Sequence, residues 1–155
     1  GQNLGAGQPE RAVEGVAVAA RIAFFGAAAI GTVFMIFPRQ LLSIFGMDEP
    51  AVVEIGTQLL RVLSMSGIFI AVALTYTGGL QGTGDTRSPL YISIVSQVAV
   101  PLGICFVVQQ LGVLDPLDIW LAIFAGHATR CILSVIRFNQ GRWRGIAVDI
   151  APAAR

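Results

Sequence analysis

The chain has 155 residues, of which 55% are hydrophobic and only 12% are charged. A typical soluble domain is roughly 25% charged, so a soluble bundle of this size would lack the polar surface that it needs. The net charge of +1 leaves no basic surface for nucleic acid. No catalytic set and no metal-ligand spacing can be assembled from the residues, so we expect no enzyme, no metal site and no cofactor.

Four long apolar runs follow one another along the chain, and each is long enough to cross a bilayer as a helix. None has the alternating pattern of a barrel strand. The sequence therefore predicts an all-α integral membrane protein with four transmembrane helices. These cover about residues 16–37, 58–80, 89–113 and 117–138, between a loop at residues 1–15 and a tail at residues 139–155.

The distribution of arginines indicates how the four spans are oriented. Arg11, Arg87, Arg142 and Arg144 fall in the N-terminal loop, the loop between the second and third spans, and the tail. These three segments share one side of the membrane if neighbouring spans are antiparallel. The positive-inside rule places that side in the cytoplasm. We therefore expect a multi-pass protein of the plasma membrane, the inner membrane of a bacterium, with a cytoplasmic C-terminus.

The fourth span carries polar residues that are costly in lipid and that share one face. His127, Arg130, Ser134 and Arg137 are spaced by three, four and three residues, so this helix face must contact protein or water. His127 lies near mid-depth, where it could exchange a proton at physiological pH. The alternative is a neutral, hydrogen-bonded residue at a helix contact.

The third span has a polar patch followed by a proline. Ser93, Ser96 and Gln97 precede Pro101, which removes a backbone hydrogen bond and bends a helix. A bend beside polar side chains can line a cavity or form a gate, or the patch can bond to a neighbouring helix. The candidate cavity-lining residues of the chain are therefore Ser93, Ser96, Gln97, Tyr76, His127 and Arg130.

Two segments outside the spans are more distinctive than the spans themselves. Residues 1–7 read GQNLGAG, and residues 79–89 read GLQGTGDTRSP. Together they resemble the multidrug and toxic compound extrusion (MATE) family. Each six-helix lobe of that family has a G-Q-x-x-G-A-G loop after its second helix and a Q-G-x-G-D-T-R-x-P loop after its fourth. Residues 141–144 resemble the C-terminal end of the family, so the resemblance implies the last four helices of a twelve-helix, two-lobe transporter.

The second motif supplies the residues that we expect to shape a cytoplasmic gate. Gly82 and Gly84 permit tight turns and close approach of helices. Asp85 can pair with Arg87 or fasten the loop to a neighbouring helix. Pro89 suits the first turn of the third span. The alternative is that these residues only form a turn.

By resemblance, the protein is a secondary active exporter of organic cations or amphipathic drugs, coupled to H⁺ or Na⁺ antiport, in which two lobes rock about a central cavity. Its partners would be those small molecules, the lipid bilayer and the rest of the transporter chain. Some members carry an acidic residue midway along the second span, but residues 67–71 contain none, so His127 becomes a candidate proton site. The alternatives are a flippase for lipid-linked or polysaccharide substrates and a non-transporting membrane interaction module.

Overall fold

The computed structural model describes residues 1–146, so residues 147–155 of the predicted tail lie outside the described part. Helices joined by short turns account for the described residues. The elements in chain order are α1 (Gln2–Gly5), α2 (Pro9–Ile36), α3 (Pro38–Ile44), α4 (Pro50–Gly82), α5 (Arg87–Ile94), a π-helical segment (Val95–Ala99), α6 (Val100–Leu111), α7 (Pro116–Asn139) and a 3-10 turn (Arg142–Gly145).

Four helical stretches in the described residues are long and apolar enough to cross a membrane. They are α2, α4, α7 and the continuous stretch Arg87–Leu111, called the third span below, which contains α5, the π segment and α6. The predicted all-α fold class with four membrane-length helices is confirmed.

Prolines explain why these helices begin earlier than the apolar runs do. Pro9, Pro50 and Pro116 each occupy the first turn of a helix, where the missing N–H has no partner to lose. As a result α2 begins seven residues and α4 eight residues before the predicted spans at residues 16 and 58. Pro38 ends α2 and starts the short helix α3 within a predicted loop.

The four spans pack in a row rather than around a common axis. Helix α4 packs against α2 on one side and against α7 on the other, and α7 also packs against the third span. Small residues permit the close contacts that this row requires. At Gly31 of α2, an added Cβ would come within 2.9 Å of the Ser64 carbonyl oxygen of α4.

The third span is not a regular α-helix where it meets α7. The amide of Val100 donates to the Val95 carbonyl, five residues earlier, which defines the π segment. Pro101 follows at once and has no N–H to donate. The Ser96 carbonyl oxygen lies against Gly126 of α7, where an added Cβ would overlap this oxygen and come within 2.9 Å of the Pro101 ring.

We expect Gly126→Ala to lower the free energy of unfolding by about 1–3 kcal/mol, because the new methyl overpacks the contact of α7 with the π segment. Gly103→Ala on α6 is the matched control, since a Cβ there meets nothing within 4 Å. The control should be neutral or mildly stabilising because alanine favours helix. Thermal unfolding of the purified whole protein in detergent measures both. Equal shifts for the two variants would contradict this packing.

Candidate functional site

The second glycine motif begins by ending α4 in a Schellman turn. The amide of Gly84 donates to the Gln81 carbonyl at 3.0 Å, and that of Asp85 donates to the Leu80 carbonyl at 3.1 Å. This pairing requires a left-handed residue after the helix, and Gly84 has a φ of +92°. Gly84 is therefore the position in the motif where the backbone demands glycine.

Asp85 joins the end of α4 to the start of α5 and to the last turn of α7. Its carboxylate accepts hydrogen bonds from the Ser88 amide at 3.0 Å and from the Ser88 hydroxyl at 2.7 Å, which caps α5. The Arg137 guanidinium of α7 donates to Oδ2 through Nε at 3.2 Å and through a terminal nitrogen at 3.0 Å. Asp85 thus fastens the loop to α7 and does not pair with Arg87, which is exposed.

Because Asp85 caps α5 through the Ser88 amide, the third span begins two residues before the predicted start at residue 89. Helix α5 begins at Arg87, so Pro89 is its third residue rather than its first. Pro89 is buried at this position. A proline is tolerated there because the first turn of a helix has free N–H groups.

The environment of Asp85 keeps its carboxylate ionised. Burial raises the pKa of this carboxyl, whereas the two Ser88 hydrogen bonds and the Arg137 guanidinium lower it. The lowering prevails, and the pKa lies below its ordinary value of 3.8. At neutral pH the junction therefore contains a full ion pair whose carboxylate is only 6% exposed.

The described part of the tail folds back and packs against the ends of α2, α4 and α7. Gly141, at a φ of +68°, ends α7. Trp143 then turns inward, is 1% exposed and stacks on Phe138 with a centroid separation of 5.1 Å. Its Nε1 donates to the Phe138 carbonyl at 2.8 Å, which also accepts the Gly141 amide at 3.1 Å at the end of the helix. Ala12 and Leu80 complete this apolar cluster.

The two glycine motifs and the tail meet at one end of the bundle, called the motif end below (residues 1–8, 83–86 and 140–146). An added Cβ on Gly1 would come within 3.0 Å of the Gly82 carbonyl oxygen. Residues of both motifs line a cavity of about 380 Å³ beside Phe138. Arg144 reaches across to Glu10 of α2, with a nitrogen–oxygen distance of 2.8 Å in an exposed pair.

The candidate residues within the spans divide between two helix contacts. On the α4 side of α7, the Thr77 and Ser134 hydroxyls are both buried and lie 3.3 Å apart. On the other side, Ser96 is fully buried and donates to its own helix at the Ile92 carbonyl, 2.6 Å away. Ser93 and Gln97 are half-buried on the same span.

His127 and Arg130 are half-buried on α7, one turn apart. Among residues 1–146, neither side chain forms a hydrogen bond or ion pair, and the Nε of Arg130 is buried. The Gln97 amide nitrogen is likewise buried without a partner in this part of the chain. These polar groups therefore remain able to bind water, an ion or a residue outside the described part of the chain.

Tyr76 lies apart from the polar patch of the third span. Its ring packs edge-on against Phe138, with a centroid separation of 5.5 Å. It lines a cavity of about 560 Å³ between α2, α4 and α7, together with Arg21, Phe24 and Phe25. Sequence reasoning grouped Tyr76 with the residues of the third span, but no described hydrogen bond joins them.

The buried position of Trp143 was not predicted from the sequence, where this residue served only as part of the family resemblance of residues 141–144. Its buried position follows from a signal that was available, namely a tryptophan two residues after a glycine that stops a helix. Such a side chain is costly to leave in water and packs against the preceding turn.

A chain of four membrane-length helices, with two glycine-rich loops meeting at one end, is a multi-pass membrane protein of the kind found in transporters. The profile of the MatE family matches residues 1–107. The chain is 30% identical over 119 residues to the probable multidrug resistance protein NorM of Thermotoga maritima, which covers 77% of this chain. It is 27% identical over 157 residues to the multidrug resistance protein PmpM of Pseudomonas aeruginosa, which covers 94% of this chain.

The chain belongs to the MatE family, and the family resemblance of its two glycine motifs is thereby confirmed. It spans 25% of the length of the Thermotoga relative and 31% of the Pseudomonas relative. Among solved structures, none matches the chain significantly.

We expect Asp85→Asn to lower the free energy of unfolding by about 1–3 kcal/mol, because the Arg137 guanidinium loses its charged acceptor. Glu14→Gln, which replaces an exposed acid of α2, is the control and should be neutral. Denaturant unfolding of the whole protein in detergent measures both, and a cycle of Asp85→Asn, Arg137→Gln and the double variant gives the coupling energy of the pair. A coupling energy of zero would show that the pair does not hold the junction.

The stability difference between the parent and Asp85→Asn should depend on pH. A carboxyl whose pKa is lowered by folding stabilises the protein above the unfolded pKa, and this contribution disappears as pH falls through the folded value. The stability gap between the parent and Asp85→Asn should therefore be constant near neutral pH and should close below pH 3.8. A gap that persists in strong acid would assign the effect to something other than ionisation.

Proposed function

We propose that this chain forms part of a secondary active transporter that exports organic cations or amphipathic drugs by antiport with H⁺ or Na⁺. The observation that carries the proposal is the junction centred on Asp85, built by the family motif itself. One carboxylate ties α4, α5 and α7 together at the motif end. Alternating access in such transporters moves rigid bundles against each other, and this junction favours movement of the bundle as one body.

The cavity beside Tyr76 supports the proposal that the substrates are amphipathic. Its volume of about 560 Å³ falls in the range of drug-sized pockets, roughly 300–1,000 Å³. Tyr76, Phe24 and Phe25 offer aromatic surface to a planar ring system. Arg21 on the same wall disfavours a cation there, so the charged group of a substrate would point away from it.

The coupling ion is proposed to act through His127 in this part of the protein. No aspartate or glutamate occurs in residues 16–37, 58–80, 89–113 or 119–138. Histidine is the residue type in these stretches that ordinarily changes charge near neutral pH, and His127 has no hydrogen-bond partner within residues 1–146. Ser93, Gln97 and Arg130 would then form the polar wall that admits water to it, whereas Ser96 is fully buried and bonded to its own helix.

The orientation proposed for the chain follows from its arginines. Arg11, Arg87, Arg142 and Arg144 all lie at or beside the motif end. The positive-inside rule then places the motif end, and with it the C-terminus, in the cytoplasm. In this orientation Gly82, Gly84, Asp85, Arg87 and Pro89 belong to the cytoplasmic gate of a plasma-membrane transporter.

The transport proposal is tested with the full-length protein expressed in a host that lacks its own efflux pumps. We expect cells to retain several-fold less ethidium and norfloxacin than cells carrying an empty vector. Collapse of the H⁺ gradient by a protonophore, or removal of Na⁺, should abolish the difference and identify the coupling ion. Unchanged retention of several cationic dyes, with the protein correctly inserted, would overturn drug export.

We expect His127→Gln to reduce H⁺-driven efflux roughly tenfold, because proton transfer by a positioned side chain contributes at least that much. Glutamine keeps hydrogen-bonding capacity but cannot take up a proton. The remaining efflux should lose its dependence on pH between about 5 and 8. Cys131→Ala, one turn further along α7, is the matched control and should keep the parent profile. An unaltered profile in His127→Gln would remove this residue as a proton site.

A further inference from the structure

A second charged cavity lies at the end of the bundle opposite the motif end. It has a volume of about 610 Å³ and lies between α3, the turn at residues 45–49 and the first third of α4. Its walls are held in place because Leu42 of α3 packs on Gly56 of α4, where an added Cβ would come within 2.9 Å of the leucine side chain. The polar residues of the wall are Arg39, Asp48, Glu54, Thr57, Gln58 and Arg61.

The charges in this cavity balance, but they do not pair with each other. Within residues 1–146, none of Arg39, Asp48, Glu54 and Arg61 takes part in an ion pair or a side-chain hydrogen bond. The hydroxyl of Thr57 in the same wall is buried and has no partner in the described chain. The four charged side chains are exposed, and a wall that carries both signs is electrostatically complementary to a ligand that carries both signs.

The length of α4 sets the depth of the cavity in the membrane. Helix α4 has 33 residues, about 50 Å at 1.5 Å per residue, whereas the hydrocarbon core is roughly 30 Å thick. The stretch from Arg61 to Gly82 is about 32 Å long and by itself accounts for the core. The cavity, between Pro50 and Arg61, therefore lies at the level of the lipid headgroups.

We propose that this cavity binds the headgroup of a zwitterionic phospholipid with a primary ammonium, that is, a phosphatidylethanolamine. Arg39 and Arg61 hold the phosphate, since guanidinium forks match phosphate oxygens. Asp48 and Glu54 accept hydrogen bonds from the ammonium, which carries three N–H donors. A choline headgroup has no such donor, and a glycerol headgroup leaves both carboxylates beside an anion.

The first test needs no variant. The purified whole protein is titrated with short-chain phosphatidylethanolamine, phosphatidylcholine and phosphatidylglycerol of equal acyl length, and bound lipid is counted by native mass spectrometry. We expect phosphatidylethanolamine to bind roughly tenfold more tightly than either of the others, the factor that one lost charged hydrogen bond produces. Equal binding of the phosphatidylglycerol, or of the choline lipid, would overturn the proposal.

Two further arms separate the lipid from a free anion and locate the site. Glycerophosphoethanolamine at high concentration should compete with the lipid, whereas full competition by inorganic phosphate alone would show a simple anion site and overturn it. Arg61→Gln and Glu54→Gln should each weaken phosphatidylethanolamine binding roughly tenfold. Arg142→Gln at the motif end and Glu14→Gln on α2, which both change exposed charges away from the cavity, are the controls and should bind as the parent does. Unchanged binding by both cavity variants would place the lipid elsewhere.

Discussion

The carboxylate of Asp85 is the group on which the motif end depends. A buried charge is costly unless hydrogen bonds surround it, and four hydrogen bonds from Ser88 and Arg137 do so here. They originate from a helix start and a helix end, while the amide of Asp85 completes the turn that closes a third helix. The backbone of this residue therefore takes part in the turn that ends α4, while its side chain caps the start of α5 and pairs with α7.

Polar residues elsewhere in the bundle serve packing and candidate function in different ways. The hydroxyls of Ser64 and Ser96 bond to carbonyls of their own helices, which lets small residues of neighbouring helices approach closely. The side chains of His127, Arg130 and Gln97 form no hydrogen bond within residues 1–146. The difference separates side chains that hold the row of helices together from those that remain available to water, an ion or a substrate.

Hydropathy predicted the four membrane-length helices because a bilayer imposes both length and apolarity on a span. The glycine motifs predicted the family because they are local strings of residues. What could not be predicted depends on distant partners, such as the pairing of Asp85 with Arg137 across 52 positions. The π segment likewise lies against a distant partner, Gly126 of α7, which the residues of the third span do not reveal by themselves.

The π segment has a geometric consequence for the third span. A π turn holds one residue more than an α turn, and one residue corresponds to a rotation of about 100° around a helix. The side chains of α5 and α6 are therefore out of phase across Val95–Ala99. The third span therefore consists of two helices with a fixed rotational offset, and α6 presents a differently rotated face to its surroundings than a regular helix starting at α5 would present.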